Sequence, residues 1–291
     1  MTLYQKRMFK VIQLLDENIE HNLSLAQLST AAHCSKFHFQ RQFSAYFGLS
    51  PKQYSQQLKL KRAANQLVFH PQLSIGEIAY QAGFANSESF SRAFKHLVAQ
   101  SPRAFRKQAV DTSVIDDLLS TPQLLTKMRE YHMADNELEV SIIELPQIKL
   151  AVYQHHGSPS KVMQSVKHFI TWRMNHHTPP SQSATFNLIY HDPNTVAEDE
   201  YRFDICAQTT NDIPKNDYGI INQSIPAGKY AKFRHIGSDQ LLGASLEKLY
   251  GQWLPYSGYE LRDFPCVLQR IAMYPQVAES SAITDILLPL A

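Results

Sequence analysis

Residues 24 to 102 contain the same unit twice. Ser24-Leu-Ala-Gln-Leu-Ser-Thr-Ala-Ala32 aligns with Ser74-Ile-Gly-Glu-Ile-Ala-Tyr-Gln-Ala82 at an offset of 50 residues. One inserted residue then carries Phe39 onto Phe90, Arg41 onto Arg92, Phe43 onto Phe94 and Ser50-Pro51 onto Ser101-Pro102 at an offset of 51. Each copy opens on a serine, Ser24 or Ser74, with Gln27 or Glu77 three positions on. That is the capping-box spacing, so each copy is expected to begin with a short helix. A turn and a second helix follow. In the first copy Phe39, Phe43 and Phe47 recur every four residues and must face a core, leaving Lys36, Phe37, Gln40, Arg41 and Ser44 outside. In the second, Phe90, Phe94 and Leu97 point inward while Ser87, Glu88, Ser91, Arg92 and Lys95 point outward. Two helices joined by a tight turn, the second with a polar outer face, have the geometry that enters a major groove. Between the copies Tyr54 to His70 reads as a long helix stopped by Pro71. Such a spacer suits two readers on successive groove faces, about 34 Å apart along B-DNA.

Charge supports this. Residues 1–108 hold 14 Lys+Arg against 5 Asp+Glu, a net of +9; the remaining 14 basic and 21 acidic residues leave the rest at −7. A basic excess confined to one segment suggests a polyanionic partner, here double-stranded DNA.

The runs Ser35-Lys-Phe-His-Phe-Gln-Arg-Gln-Phe43, Gly83-Phe-Ala-Asn-Ser-Glu-Ser-Phe-Ser-Arg-Ala-Phe-Lys95 and Ser101-Pro-Arg-Ala-Phe-Arg106 resemble the AraC/XylS signature. The resemblance covers about residues 5 to 108 and implies base-contacting positions at Phe37, Gln40 and Arg41 and at Ser87, Glu88, Ser91 and Arg92. Arginine suits guanine O6/N7 and glutamine suits adenine N6/N7, which favours Arg41, Gln40 and Arg92 as base readers. Lys36 completes the expected DNA face. Two departures stand out: Ala99 occupies a position where the family usually has glycine, and Glu88 repels phosphate but can accept from cytosine N4.

Residues 109–138 show no clear strand and carry Asp111, Asp116 and Asp117, so a linker is expected, with one helix over 122–131. Beyond it a second repeat emerges. Pro146-Gln-Ile-Lys-Leu-Ala-Val-Tyr-Gln-His-His-Gly157 aligns with Pro226-Ala-Gly-Lys-Tyr-Ala-Lys-Phe-Arg-His-Ile-Gly237 at an offset of 80. In each copy an alternating strand gives way to an amphipathic helix, and further runs over 185–191, 201–209, 267–274 and 283–288 complete two strand-helix-strand-strand units. The fold expected is therefore α+β in two domains, an all-α tandem helix-turn-helix domain over 1–108 and an α+β domain over 139–291, its antiparallel sheet curved around a cleft. Ile143-Glu-Leu-Pro146, Ile189-Tyr-His-Asp-Pro193, Ile225-Pro-Ala-Gly228, Tyr250-Gly-Gln-Trp-Leu-Pro-Tyr-Ser-Gly258 and Asp285-Ile-Leu-Leu-Pro289 are similar to the GyrI-like effector-binding domain. That resemblance implies a pocket for small aromatic or amphipathic molecules, with Tyr190, Trp253 and Tyr256 as lining candidates, although aromatics at these spacings also serve a core. The family usually places a glutamate in the strand that reads Pro265-Cys-Val-Leu-Gln-Arg-Ile271 here. Leu268 falls at that position and Arg270 near the usual aromatic. An arginine facing the pocket would favour a neutral or anionic effector, whereas on the other face it would meet solvent.

No metal or cofactor is expected. His155-His156 and His176-His177 are adjacent residues that a strand would send to opposite faces, and Cys34, Cys206 and Cys266 have none of the paired spacings of metal or disulfide frameworks. No phosphate loop or nucleophile elbow is visible, and no apolar run suggests a membrane span or a signal peptide, so a cytoplasmic protein with no membrane partner is expected. The function expected is DNA-binding transcription regulation modulated by a small-molecule effector, not catalysis, with RNA polymerase as a further candidate partner. The alternatives are a DNA binder whose C-terminal domain docks a protein, and a small-molecule hydrolase of the kind some GyrI-like domains form.

Overall fold

The computed structural model describes residues 3–19, 21–108, 138–193, 196–274 and 276–291. The described residues of 1–32 and 43–135 form one compact unit, and those of 33–42 and 136–291 form another. The linker expected over 109–138, with its helix over 122–131, lies outside the described residues apart from its last position.

The first unit is helical: α1 Leu3–Glu17, α2 Leu25–Ala31, the end of α3 Lys36–Phe47, α4 Pro51–Phe69, α5 Ile75–Gln81, α6 Ser87–Val98 and α7 Pro102–Gln108. Its helix starts are written locally. Ser24, Ser50 and Ser74 each close a capping box, with Gln27, Gln53 and Glu77 respectively, so both sequence-predicted boxes form and a third opens α4. Pro51 occupies the first turn of α4, where its missing N–H is harmless, so this helix begins earlier than Tyr54 and ends at Phe69, before Pro71. Aromatic packing then fixes each half. Phe43 meets Phe47 at 4.6 Å and Tyr54 at 6.2 Å. In the second half Phe84, Phe90, Phe94 and Phe105 form a chain of rings at 5.4–5.6 Å, edge-on at both ends and tilted between Phe90 and Phe94, seated on Leu60, Ala63, Ala64 and Leu67 of α4 and Ile78 and Ala79 of α5. Burying Phe90, Phe94 and Phe105 outweighs any propensity term in fixing α5 against α6.

In the second unit the strands are β1 Val140–Leu145, β2 Ile148–His156, β3 Thr185–Ile189, β4 Arg202–Gln208, β5 Ile221–Ile225, β6 Gly228–Ile236, β7 Cys266–Ala272 and β8 Ile283–Pro289. They form one antiparallel sheet in the order β1-β6-β8-β7-β3-β4-β2-β5. The helices are α8 Val162–Asn175 after β2 and α9 Leu242–Lys248 after β6; α9 widens into a π turn over Leu249–Trp253 and closes over Leu254–Ser257. The two repeats are thus β2-α8-β3-β4 and β6-α9-β7-β8, joined at the sheet centre by β3 and β7, where Leu188 faces Val267 and Thr185 faces Arg270. The edge strands β1 and β5 lie outside the repeats.

Strand alternation sorts the side chains onto two faces. One carries Leu150, Val152, Phe186, Leu188, Tyr190, Cys206, Tyr230, Val267 and Leu287. On the other, Phe169 and Trp172 of α8 cover Ala151, Ile205 and Ala207. The offset-80 identities have a structural cause. His155 and His235 are both buried, and each joins its strand to the following helix: Nδ1 bonds Ser165 or Ser245 at 2.8 Å, and Nε2 bonds the Ser158 or Ser238 carbonyl at 3.1 or 3.2 Å. The glycine after each strand, Gly157 or Gly237, takes φ of +105° or +126°, a conformation that side chains disfavour, which lets the chain turn back.

Candidate functional site

The second expected reader helix, α6, is exposed along most of its expected outer face. On α6 the buried Phe90 and Phe94 turn Ser87, Glu88, Arg92 and Lys95 to solvent, with Ser91 half-buried beside them. Asn86 caps the helix by accepting from Ser89 N–H at 2.8 Å, and α6 ends on Ala99 with φ of +60°. Left-handed backbone at this position explains the family's glycine.

The first reader is different. Residues 33–42 belong to the second unit, and there they make specific contacts. Phe37 stands edge-on to Tyr190, with ring centroids 5.4 Å apart at 80°. His38 is fully buried, its Nδ1 2.7 Å from the Tyr250 hydroxyl and its Nε2 2.7 Å from the Phe264 carbonyl. A carbonyl only accepts, so Nε2 carries the hydrogen and Nδ1 accepts from the tyrosine. Burial drives the imidazole down to about 4, Arg41 adds to that, and the bond to the Phe264 carbonyl opposes it. Ser35 donates to Asp263 at 2.6 Å, Arg41 lies 5.8 Å from the Tyr250 ring centroid, Gln40 is half-buried and Lys36 is exposed.

Tyr190 is also the centre of a polar cluster. Alternation along β4 puts Arg202 and Asp204 on its face of the sheet, and β5 adds Gln223. Arg202 grips Asp204 with both ends of its fork, Nε to Oδ1 at 2.9 Å and Nη2 to Oδ2 at 2.7 Å. Its guanidinium carbon lies 3.9 Å from the Tyr190 centroid. The Tyr190 hydroxyl accepts from Arg202 Nη2 at 3.0 Å and from Gln223 Nε2 at 3.1 Å, and burial pushes this phenol up to about 12. Asp204 is wholly buried, a quarter of the Arg202 side chain stays exposed, and Gln223 Oε1 is buried without a hydrogen-bond partner. Asp285 on β8 occupies the matching place in the second repeat, and its bidentate partner is Arg234 of β6, at 2.7 and 2.9 Å.

The other expected lining residues lie elsewhere. Trp253 stacks on Tyr259 at 6.1 Å, and Tyr256 is exposed. Leu268 is buried, and alternation along β7 sets it and Arg270 opposite Val267. Arg270 bonds Asn187 at 2.8 Å, Asp239 at 2.5 Å and Thr284 at 3.3 Å. Tyr190 and Arg270 are therefore not brought together. The Arg202-x-Asp204 spacing in an alternating run was the available signal for the cluster that sequence reading passed over. His155 serves its brace, and His176 stacks on Trp172 at 4.9 Å; among the described residues no group of three or more His, Cys, Asp or Glu could hold a metal ion. No described helix is long and apolar enough to cross a membrane.

Two family models match the chain, and the helix-turn-helix match runs through residues 33–42. Residues 138–291 match the GyrI-like small molecule binding domain, and residues 28–108 match a helix-turn-helix domain. The probable transcriptional regulator YgiV of Escherichia coli K12 is 36% identical over 160 residues, 55% of this chain and all of that protein. The HTH-type transcriptional regulator GbdR of Pseudomonas aeruginosa is 30% identical over 125 residues, 43% of this chain and 33% of its own length. The crystal structure of the EcmrR C-terminal domain covers 54% of this chain and 99% of its own, at 21% identity and a TM-score of 0.43. With more than half its length in the GyrI-like match and an AraC-type helix-turn-helix region before it, the chain belongs to the DNA-binding transcription regulators that carry a GyrI-like small-molecule-binding domain.

Proposed function

We propose that this regulator reads double-stranded DNA through α6 and the outer face of α3, and that a small molecule on the Tyr190 face of the sheet changes how it does so. The observation that carries the reading is the contact between Phe37 and Tyr190. Phe37 is an expected base-facing residue and Tyr190 an expected ligand-lining one, so a ligand ring on Tyr190 and Phe37 on Tyr190 compete for the same aromatic surface. Releasing Phe37 frees Gln40 and Arg41 for base edges, and that differential contact is what effector coupling requires. The exposure of Ser87, Glu88 and Arg92 on α6, with Ser91 half-buried beside them, supports this helix as the second DNA-reading element. The reading is one of binding and not catalysis, because the Asp204 carboxylate is saturated by Arg202, the reverse of what an acid–base group needs. RNA polymerase is the partner proposed for the DNA-bound form.

The test is selection of a random duplex library by the full chain at two salt concentrations, followed by the same binding measurement for Tyr190→Ala. Enrichment of two half-elements about one helical turn apart is expected, with tighter operator binding by the variant. Binding that merely fades with salt and enriches nothing would overturn DNA reading. Unchanged operator affinity in Tyr190→Ala would overturn the coupling.

A further inference from the structure

We infer that the Tyr190 cluster selects an uncharged aromatic ligand bearing both a hydrogen-bond acceptor and a donor, an aryl carboxamide being the simplest case. The inference rests on the small-molecule reading above and adds the ligand's charge and polarity. Its basis is the charge balance of the site. Asp204 is fully buried and both its oxygens are held by Arg202, so the pair is internally neutral. An organic cation could use Asp204 only by expelling Arg202, which would leave the buried charges to re-partner. An anion would meet a guanidinium whose charge is already balanced. A net charge of either sign therefore loses its hydration without a counter-charge to replace it.

What the cluster does offer is polar and neutral. Arg202 engages Asp204 and Tyr190 through Nε and Nη2, and the exposed quarter of its side chain can donate to a carbonyl. Gln223 Oε1 is a buried acceptor that lacks a donor. The Tyr190 ring supplies the aromatic surface, with Arg202 at 3.9 Å and Phe37 edge-on to it. A carboxamide carries the matching C=O and N–H on one plane, and its aryl ring can take the place of Phe37 on Tyr190.

The decisive probes are three near-isosteres, 2-naphthamide, 2-naphthoate and 2-naphthamidinium, with binding to the full chain followed by ligand-observed NMR. Naphthamide is expected to bind at least about tenfold more tightly than either ion, the factor that about 1.4 kcal/mol of uncompensated charge produces. Asp204→Asn, which leaves Arg202 unbalanced, should turn the preference to naphthoate, and Arg202→Gln should turn it to naphthamidinium. Should these variants fail to fold, Gln223→Leu leaves the ion pair intact and is expected to weaken naphthamide alone. A wild-type preference for either ion, or a Gln223→Leu chain that binds naphthamide as before, would overturn the inference. Naphthamide binding with no change in operator affinity would keep the inference and overturn the effector reading instead.

Discussion

Acidification should release residues 33–42 from the second unit, because His38 must be neutral to stay where it is. Its ring is fully buried, donates to the Phe264 carbonyl, accepts from Tyr250, and has Arg41 nearby. The Phe264 and Arg262 carbonyls and the Asp263 carboxylate favour the charged form, and burial outweighs them. The folded-state value of about 4 lies below the ordinary imidazole value of 6.5. A histidine depressed in this way contributes its stability above the unfolded value and loses it as pH falls toward the folded one. Linkage between those two values gives a cost of about 2 kcal/mol at pH 5 and about 3 kcal/mol at pH 4. Relative to pH 7 the detached fraction should rise about twentyfold at pH 5 and about a hundredfold at pH 4. Amide hydrogen exchange of peptides spanning residues 36–42, corrected for intrinsic rates, measures that fraction directly. His38→Gln keeps one donor and one acceptor and cannot titrate, so its protection should be nearly flat over the same range. If the variant lost protection with the same pH profile, or if His38 titrated near 6.5 by NMR, the argument from burial would be wrong.

Two further outcomes follow from the helical unit. Ala99→Gly relieves left-handed backbone at the end of α6 and should stabilise the chain by about 1 kcal/mol, raising the melting temperature by a few degrees in a thermal scan. Arg92→Ala should weaken operator binding by about 1–3 kcal/mol and relax preference at one base pair, and equal losses on operator and random duplex would deny it a base-reading role.

Much of the fold was legible because periodicity and caps are local. The spacings Ser24–Gln27 and Ser74–Glu77 became capping boxes, and the offset-80 repeat became two matching halves of one sheet. The site was less so. Phe37 reads as the outer face of a reader helix and His38 carries no signal of its own, and their membership of the second unit rests on partners more than 150 positions away, Tyr190 and Tyr250. An aromatic on a face expected to be polar was the one hint. Which face Arg270 takes stays open in the sequence because family position says nothing about strand parity, and one step along β7 decides it. Arg202 and Asp204 lay in a run read only for its alternation.

The matched aspartates of the two repeats bear on how such a regulator can diversify. Asp204 draws its arginine from two positions back on its own strand, whereas Asp285 draws its partner from the neighbouring strand, so the same buried carboxylate is balanced by unrelated positions in the two halves. Losing either arginine unmasks one negative charge in one half and leaves the hydrogen-bonded ladder and the histidine braces untouched. Duplication has thereby made the domain's internal charge adjustable in single steps at separate loci, and under the effector reading proposed above a lineage can change the polarity of its ligand without re-evolving the sheet.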